Sequence, residues 1–135
     1  MLSNATKNAL DEELHRYRSI AREIAVRKLE LETQREHDEN IGGSSSGNIS
    51  KPVEQLVLAY ESDRRIMHLR QFQKDAESCM QALTDAQREI FNLRWLNNDS
   101  MSWEEIACDL HYSKKTIYRK RERILEIYAT SKGII

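Results

Sequence analysis

Six cations fall within the twelve residues "SKKTIYRKRERI", 113–124: three lysines and three arginines. Ile117 and Ile124 lie among them, seven residues and two helical turns apart, so both fall on one face of a helix. Lys114, Lys115, Tyr118 and Arg119 lie off that face. Lysine and arginine carry donors and no acceptor, and the matching groups in a DNA major groove are the O6 and N7 acceptors of guanine, which arginine meets with a planar fork. Lys120, Arg121 and Arg123 follow further along and suit phosphate oxygens, which position a protein without reading sequence. Ser113 stands where an N-cap belongs, and the free N–H groups of a helix start favour an anion. The plainer reading of such a run is a solvated, charged helix, so its surroundings must decide.

Net charge is −1, but the charges are not spread evenly. Residues 1–50 sum to −2, 51–83 to 0, 84–111 to −4 and 112–135 to +5. A nearly neutral chain that ends in a concentrated positive segment points to a polyanionic partner. The composition, 39% hydrophobic and 32% charged, suits long amphipathic helices. No apolar run approaches the length of a membrane span, and "MLSNATKNAL" has neither the basic start nor the apolar core of a signal peptide. The expected setting is cytoplasmic, with Cys79 and Cys108 as reduced core thiols.

The elements that must position the basic segment are helical throughout, and no stretch alternates as a strand would. The spacing predicts a first helix over 6–39, with Leu10, Leu14, Tyr17, Ala21, Ile24, Lys28 and Leu31 forming a heptad seam. "IGGSSSGNIS", 41–50, reads as a flexible linker. Ser50 and "KPVEQL" open a second long helix over 51–82, with proline in the first turn. The linker lets the two helices pair within one chain or between two copies. Thr84 and Gln87 form a capping box for a third helix that carries Ile90, Leu93 and Trp95. Ser102 and Glu105 form a second box for a fourth helix, with Ile106, Ala107 and Leu110 inward. "HYS", 111–113, is a short turn. The fifth helix, 114–128, is held by Ile117, Ile124, Leu125 and Tyr128. The expected fold is all-α: an interaction region over 1–82 and a second domain over 83–135.

Two short helices joined by a tight turn, the second basic and serine-capped, have the organisation of a helix-turn-helix. Ala107 supplies the small residue that their close crossing needs. Residues 83–125, "LTDAQREIFNLRWLNNDSMSWEEIACDLHYSKKTIYRKRERIL", resemble the promoter-reading region 4 of bacterial sigma factors. The shared features are Leu83-Thr84, "LRW", "SWEEIA", and Ser113, Thr116 and Ile117. The chain over about 8–130 also resembles phage transcriptional regulators of the RinA/ArpU type, through "RYRSIAREI", "NIGG", "KPVEQL" and "DRR". That resemblance implies an activator of phage late genes, for packaging and morphogenesis. By position it implies base contacts from Lys114, Lys115 and Arg119, and backbone contacts from Arg94, Ser113 and Tyr118. Region 4 usually has an acidic residue where Lys115 stands, so the base preference should differ.

The expected partner is double-stranded promoter DNA. The long upstream helices would provide homo-oligomerisation, contact with bacterial RNA polymerase, or both. Two other readings stay open: an adaptor or antiterminator that uses a region 4-like fold to occupy polymerase, and a packaging component that holds DNA. No cofactor, metal or enzymatic centre is expected. His15, His37, His68 and His111 are scattered, and "HDE" at 37–39 points its side chains in different directions. "GGSSSG" lacks the lysine and preceding strand of a nucleotide loop. Trp95 and Trp103 are expected to pack a small core.

Overall fold

The computed structural model describes the backbone of residues 2–41 and 52–135, and the side chains of 2–36 and 53–135. The linker expected at 41–50, the Ser50 cap and the side chains of His37, Asp38 and Glu39 therefore lie outside the described residues, apart from the backbone of Ile41. Among the described residues the chain is all-helical. Its helices are α1 (Asn4–Leu14), α2 (Ile20–Ile41), α3 (Pro52–Ser62), α4 (Arg64–Ala82), α5 (Asp85–Phe91), α6 (Trp103–Asp109) and α7 (Lys114–Ser131). Among the described residues no helix is long and apolar enough to cross a membrane.

Two compact units emerge, Met1–Arg18 with Phe72–Ile135, and Ser19–Gln71. The divisions thus fall at 18/19 and 71/72 rather than at 82/83. The single helix expected over 6–39 is interrupted by a 3-10 stretch over His15–Ser19, at the first of these divisions. Ser3, not a residue near 6, caps its start by accepting from the Thr6 N–H at 3.1 Å. The heptad seam is divided too. Leu10 and Leu14 are buried in the first unit, Ile20 and Ile24 in the second, and Ala21 is exposed.

In the second unit α2 and α3 face one another in antiparallel order. Arg27 meets Asp63 bidentately, Nε to Oδ2 at 3.1 Å and Nη2 to Oδ1 at 2.9 Å. The Tyr60 hydroxyl donates to Glu32 at 2.7 Å, and Arg35 bonds Gln55. Asp63 also accepts from the Ile66 N–H at 3.0 Å. It thereby caps the start of α4 and separates two helices where one was expected over 51–82.

The first unit is built around α7. Ile117, Ile124, Leu125, Tyr128 and Ala129 are buried along one side of it. Ile90, Phe91 and Trp95 close over them from α5 and from the wide π turn at Asn92–Leu96. Phe91, Trp95 and Trp103 stack in sequence, with centroids 4.9 and 5.5 Å apart. Both tryptophans are core residues, and Ala107 is buried where α6 meets α7. The Thr84–Gln87 box forms in both directions. Cys79 is fully buried, and burial pushes its thiol up to about 12. Cys108 is exposed instead of lying in the core.

The α6–α7 turn depends on one residue. His111 sits at φ 61, a left-handed conformation that side chains with a Cβ rarely take. The Tyr112 N–H reaches the Ala107 carbonyl at 2.8 Å and the His111 N–H reaches that of Cys108 at 3.4 Å, the paired bonds of a Schellman end. His111→Val should destabilise the protein by about 1–2 kcal/mol, read from denaturant midpoints, while His111→Gly should not.

Candidate nucleic-acid interface

Ser113 begins the interface. Its hydroxyl accepts from the Thr116 N–H at 3.1 Å and shares a 2.9 Å bond with the Thr116 hydroxyl. This cap starts α7 sharply, so that Lys114 and Lys115 lie in its first turn. Lys115, Arg119 and Arg123 follow at four-residue intervals and therefore share one ridge. Lys114, Lys115 and Arg119 are all exposed. Among the described residues Lys115 and Arg119 make no hydrogen bond or ion pair, while the charge of Lys114 acts on Glu104.

The cations expected at phosphates divide into two groups. Arg123 is 66% exposed and pairs loosely with Glu126 at 3.4 Å. Lys120 lies over the Tyr112 ring, 4.9 Å from its centroid. Arg121 and Arg94 lie elsewhere than expected. Arg121 donates from Nε to Asp11 Oδ2 at 3.1 Å and from Nη2 to Asn8 Oδ1 at 2.9 Å. Arg94 donates from Nε to Asp11 Oδ1 at 3.2 Å and from Nη1 to the Met101 carbonyl at 2.9 Å. Both guanidiniums stack on Trp103. They hold the scaffold instead of facing outward, and each keeps the nearly buried Asp11 carboxylate from being left as an unpaired charge.

Asp11 is the functional-region residue that sequence reasoning missed. It is only 5% exposed. Its carboxylate accepts from Trp95 Nε1 at 3.0 Å, Trp103 Nε1 at 2.9 Å, and both arginines. One side chain thus ties α1 to the π turn, to α6 and to α7. The available signal was indirect. Two indole N–H groups in a small core need acceptors, and Asp11 stands beside Leu10 and one turn before Leu14. Neighbouring residues extend the tie: Lys7 pairs with Glu122 at 2.9 Å, and Glu13 accepts from the Tyr128 hydroxyl at 2.9 Å and from Lys132.

Tyr118, expected at the DNA backbone, is exposed on α7. Its hydroxyl donates to Glu104 Oε1 at 2.6 Å, which raises the phenol and lowers the carboxyl relative to their ordinary values. Glu104, Glu105 and Asp109 are exposed on α6. The start of α7 and its outer ridge thus present Lys115 and Arg119, which make no ion pair among the described residues.

An all-helical chain with an anchored helix that offers unpaired cations at its capped start is the class that these elements define. The model of the family described as "Protein of unknown function (DUF722)" matches residues 7–130, and the chain belongs to that family. Neither the curated proteins nor the solved structures contain a match to it.

Proposed function

We propose that this protein is a sequence-specific DNA-binding transcriptional regulator. In this reading α6, the turn and α7 act as a helix-turn-helix, α7 enters the major groove, and α2 with α3 forms a hairpin within the chain. The observation that carries it is the geometry of α7: Lys115 and Arg119 project unpaired from a ridge whose opposite side is fully buried. A helix anchored in this way can give its donors to guanine O6 and N7 without disturbing its own fold. The resemblance to phage regulators adds the setting, an activator of late genes in a bacterial host.

The test is selection of bound duplexes from random DNA by the full chain. Arg119→Ala and Lys115→Ala should each cost about 1–3 kcal/mol on the selected duplex and relax base choice at one position. Arg123→Ala should weaken selected and random duplexes alike and lower the salt dependence by about one counterion. Equal losses from all three substitutions on both kinds of duplex would count against the proposed readers. Inverted symmetry in the selected sites would indicate a dimer, and a single asymmetric box a monomer.

The acidic outer face of α6 and the internal pairing of Arg94 and Arg121 favour a second reading. Fewer phosphate contacts are then available, and the protein acts as a polymerase-binding adaptor or antiterminator. Footprinting on its own promoter separates the two: protection without polymerase supports the regulator, protection only with polymerase the adaptor.

A further inference from the structure

Tyr118 lies one turn after Lys114 and immediately before Arg119, at the centre of the proposed reading surface. A phenol has a single proton to donate, and this one is committed to Glu104 at 2.6 Å. Phosphate oxygens only accept at neutral pH. A phosphate could bond Tyr118 only by displacing Glu104, and it would then face that carboxylate's like charge. The side chain is nevertheless 36% exposed. What it still offers to a duplex is the apolar surface of its ring.

The ring is also held before anything binds. Glu104 projects from the first turn of α6 and grips the hydroxyl end, while α7 fixes the other end. A side chain already ordered loses little further freedom on association. In the major groove the apolar group that distinguishes one base from the rest is the C5 methyl of thymine. We propose that Tyr118 is a specificity-determining residue whose ring contacts a thymine methyl, and that Glu104 is the positioning residue that aims it. The assignment rests on the DNA-binding reading above.

Duplexes selected by the full chain are remade with deoxyuridine replacing thymidine at one position at a time, which removes only the methyl. At one position the unaltered protein should lose about fourfold in affinity, the worth of one buried methyl group. Tyr118→Ala should abolish that difference. Tyr118→Phe should keep part of it, shrunk as in Glu104→Ala, since the ring remains but Glu104 no longer holds it. Glu104→Ala should shrink it while strengthening binding to every duplex, because a negative charge leaves the surface. Circular dichroism on each variant checks that the helices persist.

Methyl removal without effect at any position would overturn the assignment. So would Tyr118→Phe losing affinity equally on selected and random duplexes, the mark of a hydroxyl on phosphate. If selected duplexes are bound but Tyr118→Ala keeps the methyl difference, this assignment alone fails. If the full chain binds no duplex, the DNA-binding reading fails and takes the assignment with it.

Discussion

Asp11→Ala should lower the free energy of unfolding by about 3–5 kcal/mol, the cost of removing one partner from a buried charge cluster. The loss is large because the carboxylate serves four donors at once: the two indoles of Trp95 and Trp103, and the guanidiniums of Arg94 and Arg121. Without it, two cations with side chains only 17% and 13% exposed lose their counter-charge. Asp11→Asn should cost less, since an amide oxygen still accepts, but the charge is gone. Urea unfolding followed by circular dichroism measures both variants. A loss below about 1 kcal/mol for Asp11→Ala, the size of an ordinary surface change, would show that the cluster does not hold the unit together.

The same cluster sets the response to acid. Burial pushes the Asp11 carboxyl up, but the Trp103 hydrogen bond, the charge of Arg94 and the bonds from Arg121 and Arg94 outweigh it. The net effect holds it below its ordinary 3.8. Its contribution is therefore complete above that value and is lost as pH falls below it. His15, with Nε2 3.6 Å from Asp11, is held below its ordinary 6.5, first by burial and then by the charge of Arg94. Because the folded form resists protonating this imidazole, stability begins to fall as pH drops below 6.5. Asp11→Ala should remove the lower of these two steps, and a pH series of denaturant midpoints reads it.

Deleting residues 1–18 should abolish the cooperative unfolding of the first unit. The segment takes Leu10 and Leu14 out of the core, each worth about 1.5–3 kcal/mol, and it removes Asp11 altogether. It also removes Lys7, Asn8 and Glu13, the partners of Glu122, Arg121, Tyr128 and Lys132. The combined loss is comparable to the whole stability of an ordinary domain, about 5–15 kcal/mol. A fragment of 19–135 should therefore expose its tryptophans, read as a red-shifted, solvent-like emission. If the fragment keeps native emission and a sharp transition, α1 is an accessory to the unit and not a part of it.

These expectations mark where local reasoning reaches. Thr84, Ser102 and Ser113 were legible as caps because a side chain that bonds the N–H three residues on needs nothing beyond its own turn. The buried line of Ile117, Ile124, Leu125 and Tyr128 was legible because helical spacing alone puts these residues on one side. The exposure of Lys114, Lys115 and Arg119 follows from the same geometry. The interruption at His15–Ser19 was not legible. The heptad pattern runs through it without a proline or glycine, and the 3-10 stretch coincides with the division between the two units.

Charge gave the weakest guide. Arg94, Arg121 and Arg119 are chemically identical in the sequence, and each has the donors to meet DNA. Two of them turn inward because Asp11, 83 and 110 residues away along the chain, lies within hydrogen-bond reach. Sequence alone determined the helical class, the caps at Thr84, Ser102 and Ser113 and the sided pattern of α7, since each depends on neighbours within about one or two turns. Tertiary structure decided which cations serve the scaffold and which remain outside it, since ion pairing depends on distance in space and the chain brings its two ends together.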